Sequence, residues 1–222
     1  MLRLLRFAAK SVVWVVGLSV VLVLLFRFVP PPVTATMLMD TNGVTKDWES
    51  LSRIDRDLVV AVIAAEDGKF CLHNGFDSEA IGQAIEERRA GERLRGASTI
   101  SQQTAKNVFL WQGGGFFRKG LEAWFTFLIE HLWSKRRIME VYLNVAETGI
   151  GTYGAEAGAQ RYFGKPAADL SPMEAARMAA ALPSPKTRSV VNPGGWTRRY
   201  GNLIAARMGV VRRDGLDACV YQ

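Results

Sequence analysis

The stretch DRDLVVAVIAAED, residues 55–67, determines how the soluble part of this chain is expected to fold. Its apolar side chains Leu58, Val62 and Ala65 recur at the spacing of one face of an α-helix. Asp55 precedes them, and Asp is one of the residue types that cap the N-terminus of a helix. The pattern predicts a helix that begins just after Asp55.

The predicted helix ends in two adjacent acids, Glu66 and Asp67, and continues into GKFCLHNGFD. Core-forming sequences rarely place two acids where the packing stops, whereas active sites often do. A carboxylate at the end of an apolar helix is partly desolvated, which raises its pKa and makes it a better general base. The alternative is a solvated acid at a helix end, and for a single acid that alternative is the more common one.

Three further stretches carry helix signals. Residues 77–91, DSEAIGQAIEERRAG, open with capping residue types and close at a glycine. In SPMEAARMAAALP, residues 171–183, Ser171 and Glu174 form the pattern of a capping box. Residues 197–215 give a last helix that ends at a glycine. Alternating strand patterns are scarce, so the prediction is one mostly α domain.

Composition limits the classes of function. The chain has 222 residues, of which 49% are hydrophobic and 22% are charged, as in a globular protein. The net charge is +7, but residues 1–32 supply +4 of it, which leaves +3 for the remainder. That is too little to indicate nucleic-acid binding. Cys71 and Cys219 form neither a disulfide framework nor a zinc site, and both are predicted to be unpaired.

The N-terminus is predicted to anchor the chain in a membrane. Residues 11–29 are apolar except for Arg27, and about 20 such residues cross the hydrocarbon core. The prolines at 30–32 end this helix. Basic residues before the span place the N-terminus in the cytoplasm and the rest of the chain outside. The predicted organisation is a basic tip and anchor over residues 1–32, a linker over 33–49 and a catalytic domain over 50–222.

A cleaved signal peptide is the alternative to an anchor. Val33-Thr34-Ala35 would be a passable cleavage site. The apolar run is longer than the roughly 7–15 residues of a signal-peptide core, and three prolines stand before the candidate cut. The length therefore favours the uncleaved anchor.

Two polar stretches follow the helix that ends in Glu66. GASTISQQTAKN, residues 96–107, is dense in hydrogen-bond donors and contains one cation and no acid, which suits a sugar or a phosphate ester. Its alternative is a polar loop followed by a solvated helix turn. Residues 116–144 mix aromatic and basic side chains, as at a bilayer interface, and include a second acid, Glu122. The alternative for that stretch is a core helix with a charged outer face.

These motifs together resemble the peptidoglycan glycosyltransferases, family 51, over about residues 50–210. The sequence departs from the family pattern at Ala97, Ser101 and Thr104, none of which removes a reacting group. No transpeptidase domain follows before Gln222, as in the monofunctional members. The resembling stretches are EDGKFCLHNGFD (66–77), GASTISQQTAKN (96–107), RKGLE (118–122), KRRIMEVYLN (135–144) and RRYGNLIAARM (198–208).

The resemblance implies a lysozyme-like helical lobe with a small membrane-facing jaw. It implies transfer of a growing lipid-linked glycan chain to the 4-hydroxyl of lipid II, with release of undecaprenyl pyrophosphate. Glu66 would be the general base, Glu122 the second catalytic acid, and His73 a structural hydrogen-bonding residue. The residues that would bind substrate are Asp67, Phe70, Ser98, Thr99, Gln102, Gln103, Lys106, Asn107, Arg118, Lys119 and Lys135.

The same resemblance implies the surroundings of the enzyme. Mg²⁺ or Mn²⁺ could help to neutralise the diphosphate, although no residue spacing predicts a metal site built by the protein. The expected location is the bacterial inner membrane, with possible partners among cell-wall synthesis and division proteins. A membrane-anchored lytic muramidase and a non-catalytic cell-wall scaffold remain the alternative functions.

Overall fold

The computed structural model describes residues 2–91, 96 and 98–222, so Ala97 lies outside the described residues. Within them the chain is mostly helical, which confirms the predicted fold class. The elements are α1 (Leu2–Phe28), α2 (Ala35–Leu38), β1 (Thr45–Lys46), α3 (Arg56–Glu66), α4 (Ser78–Arg89), α5 (Ile100–Phe109), α6 (Gly115–Leu132), α7 (Lys135–Val145), β2 (Glu147–Gly149), β3 (Thr152–Tyr153), α8 (Ala155–Phe163), α9 (Pro172–Ala181), α10 (Gly195–Arg213) and α11 (Ala218–Tyr221).

Three helices begin at the caps that the sequence predicted. Asp55 accepts a backbone hydrogen bond at 2.7 Å at the start of α3, and Asp77 accepts one at 2.9 Å at the start of α4. Ser171 and Glu174 form the predicted capping box of α9. These side chains satisfy N–H groups that have no partner inside the helix. Local sequence therefore sets where these three helices begin.

The core forms around α3. Residues 59–63 are completely buried, and α3 packs against α9 and α10. α9 presents a row of buried alanines, whose small side chains let the helices approach closely. α5 packs against α6 and α7. The two groups of helices meet where the backbone N–H of Ile100, the first residue of α5, donates to Asp67 Oδ2 at 3.0 Å.

A short three-stranded sheet, in the order β1-β3-β2, was not predicted. β1 pairs in parallel with β3, and β2 pairs with β3 in antiparallel, with Glu147 opposite Tyr153. Strands of two or three residues are too short to produce an alternating pattern in the sequence. The sheet places residue 147 beside the segment that follows α9.

One helix in the described part of the chain is long and apolar enough to cross a membrane. It covers Ala9–Phe28, with a mean hydropathy of 2.4, and most of it is exposed. The predicted span began two residues later and ended one residue later. α1 itself ends at Phe28, just before the prolines.

The C-terminal part of α1 packs against α6. Val23 is completely buried there, and its carbonyl accepts a hydrogen bond from Trp133 Nε1 at 2.8 Å. Trp124 Nε1 donates to Ser19 Oγ at 3.0 Å. The Arg137 guanidinium donates to backbone carbonyls at the end of α1, at 2.9–3.1 Å. The apolar helix is therefore docked on the domain through specific contacts.

Deletion of residues 1–32 is expected to leave a folded domain that unfolds at a lower temperature. The core around α3 does not depend on α1, but Trp133 Nε1 and Arg137 would lose their acceptors. An unsatisfied buried donor costs about 1–3 kcal/mol, and a chain of this size loses about 2–4 °C per kcal/mol. Circular dichroism melts should show helical content with a decrease of roughly 2–12 °C. A truncated chain without helical signal would show that the domain does not fold independently.

Cys71 and Cys219 form a disulfide, so the prediction that both are unpaired is wrong. Their Cα atoms lie 5.5 Å apart, although 148 residues separate them in the sequence. Cys71 follows α3, and Cys219 belongs to α11. The completely buried Asp217 holds α11 near α3 because it accepts a hydrogen bond from Arg56 Nε at 2.7 Å. Only the tertiary fold brings the two sulfurs together, and two distant cysteines carry no such signal in the sequence.

Replacement of both cysteines, Cys71→Ser with Cys219→Ser, is expected to destabilise the protein. Closing a loop of this length restricts the unfolded chain, and such disulfides contribute about 2–4 kcal/mol. The unfolding temperature should fall by roughly 4–16 °C. A reductant should lower the wild-type melting temperature to that of the double variant and leave the variant unchanged. Equal melting temperatures for the oxidised, reduced and double-variant proteins would contradict a stabilising role.

Candidate active site

Glu66 is the last residue of α3 and lies in the protein interior. Gln103 Nε2 donates to Glu66 Oε2 at 2.7 Å. Oε1 is buried and has no hydrogen-bond partner among the described residues. Burial raises the pKa of the Glu66 carboxyl, against the hydrogen bond from Gln103 and the charges of Arg188 and Lys106. A carboxylate with one free oxygen and a raised pKa is suited to accept a proton.

Asp67 fixes the segment that follows Glu66. Its Oδ2 accepts from the backbone of α5, and its Oδ1 lies 2.9 Å from His73 Nε2. The N–H of Gly75 donates to His73 Nδ1 at 3.1 Å, so Nε2 is the nitrogen that donates to Asp67. Gly75 has φ +91°, and an added Cβ would lie 2.8 Å from Thr126 Cγ2, so only glycine fits here. Both polar atoms of His73 are used to hold the backbone, as expected of a structural residue.

Thr99 and Gln102 are used to start α5. The N–H of Gln102 donates to Thr99 Oγ1, and the N–H of Thr99 donates to Gln102 Oε1 at 3.0 Å. Thr99 Oγ1 also donates to the carbonyl of Gly75 at 2.7 Å. Both side chains are almost completely buried. Their polar atoms bind protein, and a direct role in substrate binding stays a prediction.

Lys106 lies on α5 between two acids. Burial lowers the pKa of its ammonium group, and the charges of Glu122 and Glu66 act against this decrease. Arg118 and Lys119 lower it further because they are like charges nearby. Lys106 is therefore a desolvated cation within electrostatic range of the candidate base.

Glu122 is 2% exposed and is paired with two cations. Arg118 Nη1 lies 2.6 Å from Glu122 Oε2, and Lys119 Nζ contacts Oε1. Lys119 Nζ also lies 3.4 Å from Ser98 Oγ. The structure thus brings the RKGLE motif to the GASTISQQTAKN motif. Around Glu122 there are two cations for one carboxylate, and Lys106 adds a third positive charge.

A cleft of about 370 Å³ runs beside Gln103 and Lys106. Asn107 and Tyr142 also line it, and Tyr142 Oη lies 3.4 Å from Gln103 Oε1. Residues 182–187 form the opposite wall. The cleft therefore connects the partner of the candidate base with a buried cation and is large enough for part of a saccharide.

Two predicted substrate-binding residues lie apart from the cleft lining. Phe70 is completely buried in the core. Lys135 Nζ lies 4.5 Å from the centre of the Phe70 ring, donates to the carbonyl of His73 at 2.7 Å and pairs with Glu130 Oε1 at 2.8 Å. These contacts support the loop behind Asp67. Substrate contacts by Phe70 and Lys135 stay predictions.

The sequence analysis missed two charged residues near the site, Arg188 and Glu147. Arg188 Nη1 donates to the carbonyl of Ala180 at 3.0 Å, and its guanidinium lies 4.2 Å from the Trp196 ring centre. Its charge acts on Glu66. Glu147 lines the cleft. Arg188 follows a proline-rich loop and Glu147 lies in a three-residue strand, so neither had a helical pattern to mark it.

The described residues contain no group of three His, Cys, Asp or Glu side chains that could hold a metal ion. Glu122 is already neutralised by Arg118 and Lys119, and Glu66 is bound by Gln103. The donor set around the cations therefore does not fit a divalent metal held by the protein. No step below is assigned to one.

The family comparison agrees with this geometry. The model of the transglycosylase family matches residues 34–209. A protein of Caulobacter vibrioides is 52% identical over 223 residues, covering 98% of this chain and 97% of the relative. One of Rhodospirillum centenum is 50% identical, with 98% and 96% covered, and one of Pseudomonas aeruginosa is 48% identical, with 94% of each covered. All three are named biosynthetic peptidoglycan transglycosylase. The chain therefore belongs to the transglycosylase family and is a glycosyl-transferring enzyme.

Proposed function

We propose that this enzyme polymerises the glycan strands of peptidoglycan. It would transfer the growing lipid-linked glycan chain to the 4-hydroxyl of lipid II and release undecaprenyl pyrophosphate. The observation that carries the proposal is the buried Glu66 carboxylate, with one free oxygen, in the same charge cluster as Lys106. A base and a cation at this separation suit an attacking hydroxyl and a departing diphosphate.

Glu66 would act as the general base. Its free Oε1 accepts the proton of the 4-hydroxyl while that oxygen forms a bond to the anomeric carbon of the donor. The bond between that carbon and the diphosphate oxygen breaks, and its electron pair leaves with the diphosphate. Attack opposite the leaving group inverts the anomeric configuration from α to β. The hydrogen bond from Gln103 keeps the carboxylate oriented toward the acceptor.

The leaving group would be stabilised by positive charge. Diphosphate needs no proton to depart, so a fixed cation serves it better than an acid. Lys106 is desolvated, and Arg118 and Lys119 exceed the charge of Glu122 by one. Glu122 would keep the two side chains oriented. This arrangement supplies charge stabilisation without reorganisation when the bond breaks.

The docked N-terminal helix supports a membrane location. Ser19 lies nine residues before Phe28, which is about 13 Å along a helix. Because Trp124 of α6 binds Ser19, that part of the domain would lie at the same depth in the bilayer. Phe116 and Phe117 are 95% and 74% exposed at the start of α6 and would contact lipid. An active site at this height would reach lipid-linked substrates without extracting their chains.

The orientation proposed is an N-terminus in the cytoplasm and a catalytic domain outside, in the bacterial inner membrane. The basic residues before the span support it. The disulfide adds independent support, because such bonds persist mainly in oxidising compartments outside the cytoplasm. The contacts of Arg137 with the end of α1 favour a retained anchor over a cleaved signal peptide. Protein partners in wall synthesis and division belong to this proposal as well.

A lytic muramidase would use an acid near sugar but would gain little from a buried lysine, since its leaving group is a sugar oxygen that needs a proton. A scaffold would need no carboxylate with a free oxygen. The test is incubation of the purified full-length protein with labelled lipid II in detergent. Formation of polymer supports the proposal. Cleavage of glycan without polymer, or binding without any product, would overturn it.

A further inference from the structure

Glu147 is a carboxylate in the cleft that the proposed mechanism does not use. It lies in β2 and lines the cleft together with Lys106 and Gln103. Its side chain is 17% exposed, and burial raises the pKa of its carboxyl. Its Oε1 has no hydrogen-bond partner among the described residues. An acceptor left unsatisfied at the wall of a cleft has unused capacity to bind a ligand.

Lys186 balances the charge of Glu147 without using its hydrogen-bonding capacity. Lys186 Nζ lies 3.4 Å from Glu147 Oε1, within ion-pair distance but without hydrogen-bond alignment. The same ammonium makes a shorter contact of 3.1 Å with Asp40 Oδ2, which also accepts from Tyr153 Oη at 2.7 Å. Lys186 is 46% exposed and can move away from Glu147 while it remains paired with Asp40.

We infer that Glu147 is a specificity-determining residue that accepts a hydrogen bond from a hydroxyl or acetamido N–H of a substrate sugar in this cleft. This inference rests on the proposed function, which puts an N-acetylated saccharide beside Lys106. A sugar is the fitting ligand because Lys186 already supplies a positive charge. A second cation would find a neutral pair, whereas a neutral donor finds a free oxygen.

The neighbouring residues fit the same ligand. Asn107, Gln112 and Thr187 also line the cleft and can both donate and accept hydrogen bonds, as sugar hydroxyls require. The cleft extends from Lys106, where the diphosphate would lie, to Lys186 in the opposite wall. A sugar that follows the diphosphate would therefore reach Glu147.

The test measures binding without turnover, with labelled lipid II and full-length Glu66→Gln protein in detergent. Adding Glu147→Gln should weaken binding of lipid II about tenfold, the size of one hydrogen bond to a charged group. In the otherwise native enzyme, Glu147→Gln should raise the KM for lipid II about tenfold and change kcat by less than about twofold. A Kd for lipid II that stays within about twofold would overturn the inference.

Two controls separate this role from others. Undecaprenyl pyrophosphate carries no sugar, so Glu147→Gln should leave its affinity unchanged, whereas a distorted cleft would bind both lipids less well. Glu86→Gln removes an acid from the exposed surface of α4, and by long-range charge alone it should leave binding of the anionic lipid equal or slightly tighter. Equal weakening of both lipids by Glu147→Gln, or equal weakening by Glu86→Gln, would overturn the inference. A native enzyme that forms no polymer would instead reject the proposed function.

Discussion

Replacement of Glu66 by Gln is expected to slow polymerisation of lipid II by about 10²–10⁴-fold, the usual contribution of a general base. The amide is nearly isosteric and can still bind Gln103, but it cannot take the proton of the attacking hydroxyl. The measurement is the initial rate of polymer formation from labelled lipid II at saturating substrate. A variant that keeps more than about a tenth of the native rate would show that Glu66 is not the base.

The same substitution provides its own control for folding. The pKa of Glu66 is raised above its usual value of 4.5 by burial, so the folded state favours the protonated carboxyl. Its contribution to stability is therefore fully present below that value and is lost as the pH rises through the folded-state pKa. At pH 7 the Gln variant should be as stable as the native protein or more so, and the difference should vanish in acid. A less stable, less active variant would indicate misfolding.

Replacement of Lys106 by Ala is expected to produce the second large loss of activity. Removing one partner of a desolvated charge interaction costs about 2–5 kcal/mol, which corresponds to roughly 30- to 4,000-fold in rate. The loss should appear both in polymerisation and in the binding of undecaprenyl pyrophosphate. Lys106→Arg should restore only part of the activity, because a planar guanidinium fills the space of an ammonium poorly.

The control for Lys106 must remove a positive charge without disturbing a helix. Arg212 is unsuitable because it pairs with Asp57 in the first turn of α3. Arg199 is exposed on α10 and makes no ion pair within the part of the chain that the structure describes. Arg199→Ala should change the rate by less than about twofold, as surface substitutions usually do. Similar losses from Arg199→Ala and Lys106→Ala would indicate general surface electrostatics.

The features that the sequence predicted are those with local causes. Asp55 and the Ser171–Glu174 pair cap their helices through residues two or three positions away, so a short stretch contains the whole interaction. Glu66 could be predicted because an apolar helical run ends in an acid. The mostly helical fold follows from several such stretches.

The features that the sequence did not predict depend on contacts between distant residues. Glu147 and Lys186 lie 39 positions apart and become partners only across the cleft. The disulfide joins segments that α3 and α11 bring together. Thr99 and Gln102 looked like ligand donors, but their side chains bind each other, and only packing reveals that. Side-chain type was visible in the sequence, whereas the partner of each side chain was not.

The disulfide also determines the order in which the molecule is completed. Under the proposed topology the chain emerges from the membrane N-terminus first, so Cys71 becomes exposed to oxidants long before Cys219 has been synthesised. The segment that carries Glu66 and Asp67 is therefore fastened only after α11 has been translocated and has docked on Arg56. Thiol labelling of arrested nascent chains should detect a free Cys71 at every length that lacks residue 219. Covalent completion of the catalytic segment is thus the last event in the biogenesis of the enzyme.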